Sequence, residues 1–466
     1  MPPTIALLLW LTLLLGLLYF DPAKTAKNSV ALWIPVIWMF ILGSRLPSQW
    51  LGGDITITAA ALEDGNSVDR SVSLILMVFA LGVLTSRSFD WSCFLRRNWV
   101  LTIFLMYALV SICWSDLPLV TLRKWFRDLG NYFIILIVLS DPRPFDAIRT
   151  VLRRVAYLLV PLSLLLIKYY PDMAKHYDPW SGHASFSGAS TSKNTLGAMC
   201  LISGLFFFWD TLAQWQHPKV RRRKKLILVN LVFFSMTVWV LNVSNSATSR
   251  VCLCIGCLVI ILANVQWSQK HPRLLKAIVP ICVCLYLVAT IAFNLTGELA
   301  STLGRDPTLT DRTKIWALVL GMHTNVLLGT GYESFWLGPR LDWIWRQGFG
   351  TINEAHNGYL EVYLNLGVMG LGLITALVIT AYRHVCKLLS THFTYATLGL
   401  AIWTAMLFHS VTEADFRSGL MWVTFLMITI VTPLPTTYRS NKAATASARR
   451  VHSLTTVRLE PLGPRR

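Results

Sequence analysis

His356, Glu361, Arg312 and Glu413 are side chains of the kinds that do chemistry, and each lies in or beside an apolar stretch. The run NEAHNGYLEVYLNLGVMGLGL, 353–373, reads as a membrane helix only in its second half. Asn353 can cap a helix whose first turn holds Glu354, Ala355 and His356. Asn357 and Glu361 then share a face, as do Tyr359 and Tyr363. Apolar residues dominate only from Leu364 onward, so the polar half forms the mouth of the helix and faces a wet site. A histidine there can take a proton from an attacking hydroxyl near neutral pH. The simpler reading is an interfacial belt of His and Tyr that anchors a span.

Upstream lies LTDRTKIWALVLGMHTNVLLGTGYESFW, 309–336. Thr310 is a candidate cap, and Asp311 to about His323 reads as a helix with Ile315, Trp316, Val319, Leu320 and Met322 along one stripe. Arg312 falls in its first turn, where free backbone N–H groups already favour an anion. Its guanidinium fork suits phosphate oxygens. The plainer alternative pairs it with Asp311 or Asp306 at the lipid headgroups. Gly329 and Gly331 turn the chain before Tyr332 and Glu333, and such glycines alone say nothing about phosphate.

Near the end, FHSVTEADF, 408–416, spaces His409 and Glu413 by four. Glu413-Ala-Asp415 is a weak acidic metal signature, and no metal is expected. Glu413 is expected instead to orient a neighbour or to pair with Arg417. Arg123, Lys124, Lys193 and Arg250 add basic groups near the same proposed face. Together they would suit a polyanion such as a lipid diphosphate.

The elements that must position these groups are membrane helices. Only 14% of the 466 residues are charged while 54% are hydrophobic, against about 25% charged in soluble domains. Mean hydropathy is +0.54. Apolar runs of roughly 20 residues recur near 4–20, 29–44, 71–86, 98–114, 127–140, 154–170, 194–211, 226–243, 249–265, 277–293, 360–381, 394–412 and 419–433. The expected fold is an all-α integral membrane protein of about 12–13 spans, since a span must satisfy its backbone internally. Residues 1–433 form the polytopic domain, with a large outer segment at about 294–359.

The net charge of +19 sits in short loops: 87–97, 143–154, 219–225 (KVRRRKK), 270–276, 383–387 and the tail. They alternate with less basic ones, the positive-inside pattern, and this argues against nucleic acid. It places the C-terminus in the cytoplasm. The tail from 434 to 466 reads as a disordered basic strip. Ile5 to Phe20 lacks a basic leader and is expected to be retained as a span. Most of the nine cysteines lie in apolar runs, and Cys252, Cys254 and Cys257 read as packing.

DRTKIW, LLGTGYESFW and AHNGYLEVYLNLGVMGL together resemble the bacterial O-antigen ligase and Wzy-type polysaccharide polymerase superfamily. GTGYESFW and AHNGYLE are most similar to exopolysaccharide polymerases of the succinoglycan type. Weaker matches at SICWSDLPLVTLRKW, GASTSKNTLG, SNSATS and FHSVTEADF extend the resemblance to about 100–425. It implies a C-type glycosyltransferase of the ligase branch, with its catalytic loop at 294–359, in the bacterial inner membrane.

The implied donor is a glycan on undecaprenyl diphosphate, used at the periplasmic face without nucleotide sugar, metal or cofactor. The family's histidine falls on His356 and its arginine on Arg312. Where the family has Ser-Arg or Ser-Lys, this chain has Ser246-Ala247, so Arg250, three residues on, is the candidate replacement.

On that resemblance His356 and Glu361 are expected to be catalytic. Arg312, with Arg250 and Lys193, is expected to bind the diphosphate. Asn357, Tyr359 and Glu413 are expected to orient the acceptor. A lipid diphosphate already leaves well, so paired carboxylates of the glycosidase kind are unnecessary. Cation density on the departing group is what the reaction needs, and a single displacement inverts the anomeric carbon. Chain-length regulators and export proteins are candidate partners beside the lipid-linked glycan and the bilayer. An O-antigen ligase passing glycan to lipid A core shares this chemistry and differs in its acceptor. A glycolipid flippase is the reading from another class, disfavoured because the span centres carry almost no charge. Asn294-Leu-Thr296 fits a glycosylation sequon, which a bacterial origin makes moot.

Overall fold

The computed structural model describes residues 1–19, 29–52, 58–87, 89–177, 184–216, 223–271, 276–277, 279–281, 283–284, 312–348 and 350–430. The expected span at 277–293, the sequon, Asp306, Thr310, Asp311 and the tail lie mostly or wholly outside them. Helices occupy the other twelve expected spans. The main helices, in chain order, are α1 (Pro3–Tyr19), α2 (Trp33–Gly43), a short α3 (Ala59–Asp64), α4 (Ser67–Ser86), α5 (Trp91–Arg97), α6 (Trp99–Val110), α7 (Pro118–Leu139), α8 (Pro144–Tyr169), α9 (Lys193–Gln216), α10 (Arg223–Ser244) and α11 (Ala247–Asn264). After them come α12 (Arg312–Leu320), α13 (Gly338–Arg346), α14 (Gly358–Leu388), α15 (Phe393–His409) and α16 (Leu420–Thr429). Among the described residues six helices are long and apolar enough to cross a membrane, or seven if α5 and α6, bent by 88°, count as one, and four more apolar helices are shorter.

The protein is an all-α membrane protein, with one small two-stranded exception among the described residues. Lys175–Tyr177 (β1) and Ala184–Phe186 (β2) pair antiparallel within the expected 171–193 loop.

α8 and α9 form the centre, and their apolar windows are mostly buried, whereas α4 and α10 expose most of theirs. Phe206, Phe207 and Phe425 are among the largest fully buried side chains. The 143–154 stretch, expected as a basic loop, is instead the first turns of α8. Arg143 is capped out by Pro144, which starts the helix because its missing N–H costs nothing there. Arg153 and Arg154 are thereby buried. Arg153 pairs with Asp210 at 2.7 Å, and Arg154 lies over the Trp33 ring. Buried charge is tolerated because it is partnered.

A second, smaller core caps one end of the bundle. Ile315 and Val319 of α12, Phe335 and Trp336, Leu341 and Ile344 of α13, Ala355 and Leu364 build it. α3 packs on it through Leu62, and Glu63 accepts from Gly338 N at 3.0 Å. This capped end carries every candidate site group around residues 312–361 and 409–417.

α14 breaks at Gly367 (φ 64°, ψ −165°), a conformation open essentially to glycine alone. The strand of chain from 326 to 331 docks at the break. Thr330 N and Gly331 N donate to Leu364 O and Asn365 O at 3.1 and 2.8 Å. Val368 N and Met369 N donate to Val326 O and Leu327 O at 2.9 and 3.2 Å. Tyr107 hydroxyl donates to Leu366 O at 3.0 Å. The break thus leaves these backbone groups satisfied, as an apolar environment demands.

Candidate active site

α14 begins at Gly358, one turn later than the sequence suggested. Asn357, not Asn353, is the cap, and its side chain accepts from Tyr359 N and Leu360 N at 3.0 Å each. Gly358 N donates to Ser410 O at 2.8 Å. Residues 353–356 are therefore an irregular approach, and His356 sits at φ 49°. A left-handed histidine is uncommon and must be held by its surroundings.

Four groups meet here. His356 Nδ1 lies 2.8 Å from Glu354 Oε1 and 3.9 Å from Glu413 Oε2. Glu413 Oε1 accepts from Arg312 Nη2 at 2.9 Å, and Arg312 Nη1 donates to Thr412 O. Arg312 thus pairs with Glu413 across the fold and holds the loop between α15 and α16. Glu413 bridges the two residues that the sequence had assigned to different tasks.

A second network supports the first. Arg417 donates to both oxygens of Glu333, Nη2 to Oε2 at 2.7 Å, and to Asn353 O at 3.2 Å. It also lies 3.6 Å from Glu361 and 3.9 Å from Glu354. The expected pairing of Glu413 with Arg417 is replaced by these partners, because the Glu333 fork saturates the Arg417 guanidinium. Glu333 itself sits at φ 52°. Lys124 Nζ donates to Glu333 O at 3.2 Å, and Tyr332 hydroxyl to Asp128 Oδ2 at 3.0 Å, so α7 is tied in as well.

Glu361 is buried and fully engaged. It accepts from Trp336 Nε1 at 2.7 Å and Ala355 N at 2.9 Å. It brackets the GYESFW turn to the approach before His356 and touches no open space, which suits an orienting part. Tyr359 donates to Leu407 O at 3.2 Å and packs edge-on against Phe416. Asn357 and Tyr359 thus fix the start of α14.

Arg250 Nη2 donates to Asn245 Oδ1 at 3.3 Å. Its helix still reaches the site: Thr248 and Thr412 hydroxyls lie 2.7 Å apart, and Ser249 Oγ is 2.9 Å from His409 Nε2. Lys193 opens α9, whose Gly197 packs on Ser246 and Ser249. Both basic residues are at the capped end, but neither belongs to the Arg312–Glu413–His356 group. Asp415, expected beside Glu413 in any metal signature, binds His409 Nδ1 at 2.7 Å instead.

The charges shape one another. Burial pushes the Glu354 carboxyl up, but His356 and then Arg417 override it and hold it at about 2. Burial also opposes charge on His356, yet Glu354 raises its pKa above the ordinary value. Burial would raise Glu333 too, and Arg417 brings it below the carboxylate norm. Glu354 thus shifts His356 toward its imidazolium form, which suits donating a proton or contacting an anion.

Glu354, His356 and Glu413 bring potential ligand atoms within 4.8 Å of one another. That spacing could hold a metal ion. Arg312 and Arg417 already supply the positive charge these carboxylates need, so the group fits an ion-pair network better.

The His356 and Arg312 motifs were readable as sequence. Glu333, His409 and Asp415 lie within the sequence motifs and Arg417 just beyond one, yet none of the four stands among the site residues expected from the sequence. What was missing was a rule for which of five carboxylates pairs with which cation.

Residues 231–375 match the family model described as O-antigen ligase. Exopolysaccharide production protein ExoQ of Rhizobium meliloti (strain 1021) is 28% identical over 295 residues. The match covers 60% of this chain and 63% of that protein.

Proposed function

We propose, from the match of residues 231–375 to the O-antigen ligase family model, that the protein is a membrane glycosyltransferase. It polymerises oligosaccharide repeats carried on undecaprenyl diphosphate, at the periplasmic face of the inner membrane, with its C-terminus in the cytoplasm. The polymer is an exopolysaccharide or O-antigen. The likeness to an exopolysaccharide production protein favours polymerase over ligase.

One observation carries this reading. Arg312, set on the first turn of α12, meets His356 and Glu413 at one end of an apolar bundle. A guanidinium and an imidazolium within reach of one anion are what a departing lipid diphosphate requires. Arg312 binds the diphosphate through its fork, and His356 supports the charge that develops on it. The acceptor hydroxyl attacks from the opposite side, the anomeric carbon inverts, and no metal is needed. Arg250 and Lys193 lie at the same end and add to the field that draws in the polyanion. Residues 1–433 form the catalytic membrane unit, and chain-length regulators or export proteins are its candidate partners.

A gel profile of cell glycans and lipid-linked intermediates tests the reading. A deletion strain, His356→Ala and Arg312→Ala are compared with wild type at equal membrane levels. Loss of long chains with single repeats left on the carrier is the expected result. Long chains that persist on the carrier but never reach a final acceptor would make the protein a ligase. A deletion phenotype with both variants unaffected would sink the proposed site.

A further inference from the structure

We propose that Glu413 is the base that takes the acceptor's proton, and that the donor's diphosphate uncovers it by drawing Arg312 away. This rests on the reading of the site given above.

The carboxylates of the site can be sorted by their partners. Glu361 is closed by Trp336 and Ala355 N. Glu333 is held on both oxygens by Arg417. Asp415 is held by His409, and Glu354 by His356 at 2.8 Å. Glu413 lies between two cations of the site: its Oε1 accepts from Arg312 at 2.9 Å, while Oε2 stands 3.9 Å from His356. Its hydrogen-bonded partner, Arg312, is also the guanidinium placed on the donor's diphosphate. A diphosphate carries more charge than a carboxylate and matches the same planar fork. The fork cannot serve both at once.

Arrival of the donor therefore has two effects. Arg312 turns to the diphosphate oxygens, and Glu413 loses its hydrogen-bonded cation beside the reacting centre. A carboxylate without such a bond is a stronger base than one that has it. In the transfer step the acceptor oxygen forms its bond to the anomeric carbon. The bond from that carbon to the diphosphate breaks, and its electron pair leaves with the lipid diphosphate. The acceptor's hydroxyl proton passes to Glu413. The base is thus available only once a donor is seated.

The test pairs binding with turnover, using the detergent-solubilised full chain. The binding probe is inorganic pyrophosphate, and turnover is read as long-chain product in membranes. Glu413→Gln keeps size and shape but removes the charge that competes for Arg312. It is expected to bind pyrophosphate roughly fivefold more tightly, the difference between a charge-assisted and a neutral hydrogen bond. Its turnover is expected to fall by about 10²–10⁴-fold, the range for a lost general base. Glu413→Asp keeps the carboxylate and is expected to recover part of the turnover. Tighter anion binding together with lost turnover is a combination that mere loosening of the site does not produce. Weaker binding with lost turnover would mean that Glu413 only builds the Arg312 site, and would overturn the proposal. So would turnover within about threefold of wild type, well short of the range for a lost base. Arg312→Ala serves as the control: if it binds pyrophosphate like wild type, the diphosphate site itself is wrong.

Discussion

Burial works against charge on His356, and Glu354 is the neighbour that does most to restore it, with Glu413 adding and Arg312 opposing. Glu354 lies 2.8 Å away and raises the imidazole pKa. A raised histidine pKa stabilises the fold fully below the unfolded value, about 6.5, and this is lost as pH rises through the folded value. Glu354, lowered to about 2, stabilises above its unfolded value of about 4.3 and loses this as pH falls. The pair is strongest between those limits. Glu354→Gln should move the titration of His356 downward, so that diethyl pyrocarbonate, which attacks neutral imidazole, modifies it at lower pH than in wild type. An unshifted modification profile would show that Glu354 does not hold the charge. Arg312→Lys keeps the charge and loses the fork, and should cut long-chain product by about tenfold or more, since point charge and bidentate recognition differ. At this scale His356 and Arg312 were legible because their neighbours in sequence are distinctive. The Arg417–Glu333 pair was not, because its partners lie 84 residues apart and five carboxylates compete for each cation.

The elements were legible where a single physical signal rules. Apolar length marked the spans, and α12, described from Arg312 to Leu320, lies within the expected Asp311–His323 because Ile315, Trp316, Val319 and Leu320 carry the stripe. The start of α14 was misplaced because both Asn353 and Asn357 can cap, and only the bond from Gly358 N to Ser410 O chooses between them. Asn357→Ala should lower stability by about 1 kcal/mol, read as the melting temperature of the solubilised protein. The break at Gly367 had no sequence signal, since glycine is common in membrane helices. Gly367→Ala should cost about 1–3 kcal/mol in backbone strain alone, and its new methyl would collide with the Leu327 carbonyl. Less folded protein in the membrane is the expected outcome. Wild-type levels and melting would show that the break is not required.

At the scale of the molecule, the proposed orientation puts the capped end outside. In a cysteine-free background, Trp343→Cys, at an exposed position on α13, should react with a membrane-impermeant maleimide in intact spheroplasts. A cysteine at exposed Lys224, at the other end of α10, should react only after lysis. The reverse pattern would invert the topology and remove the periplasmic reading. The broken helix also works as a depth gauge. From 368 to 388, α14 has 21 residues and rises about 31 Å, close to the roughly 30 Å of a hydrocarbon core. If that half spans, the break marks the waterline, and His356 and Arg312 stand just above it. A polyprenyl carrier keeps its headgroup at that level, so the protein would work on its donor where the lipid already floats, with no need to lift the tail out of the bilayer.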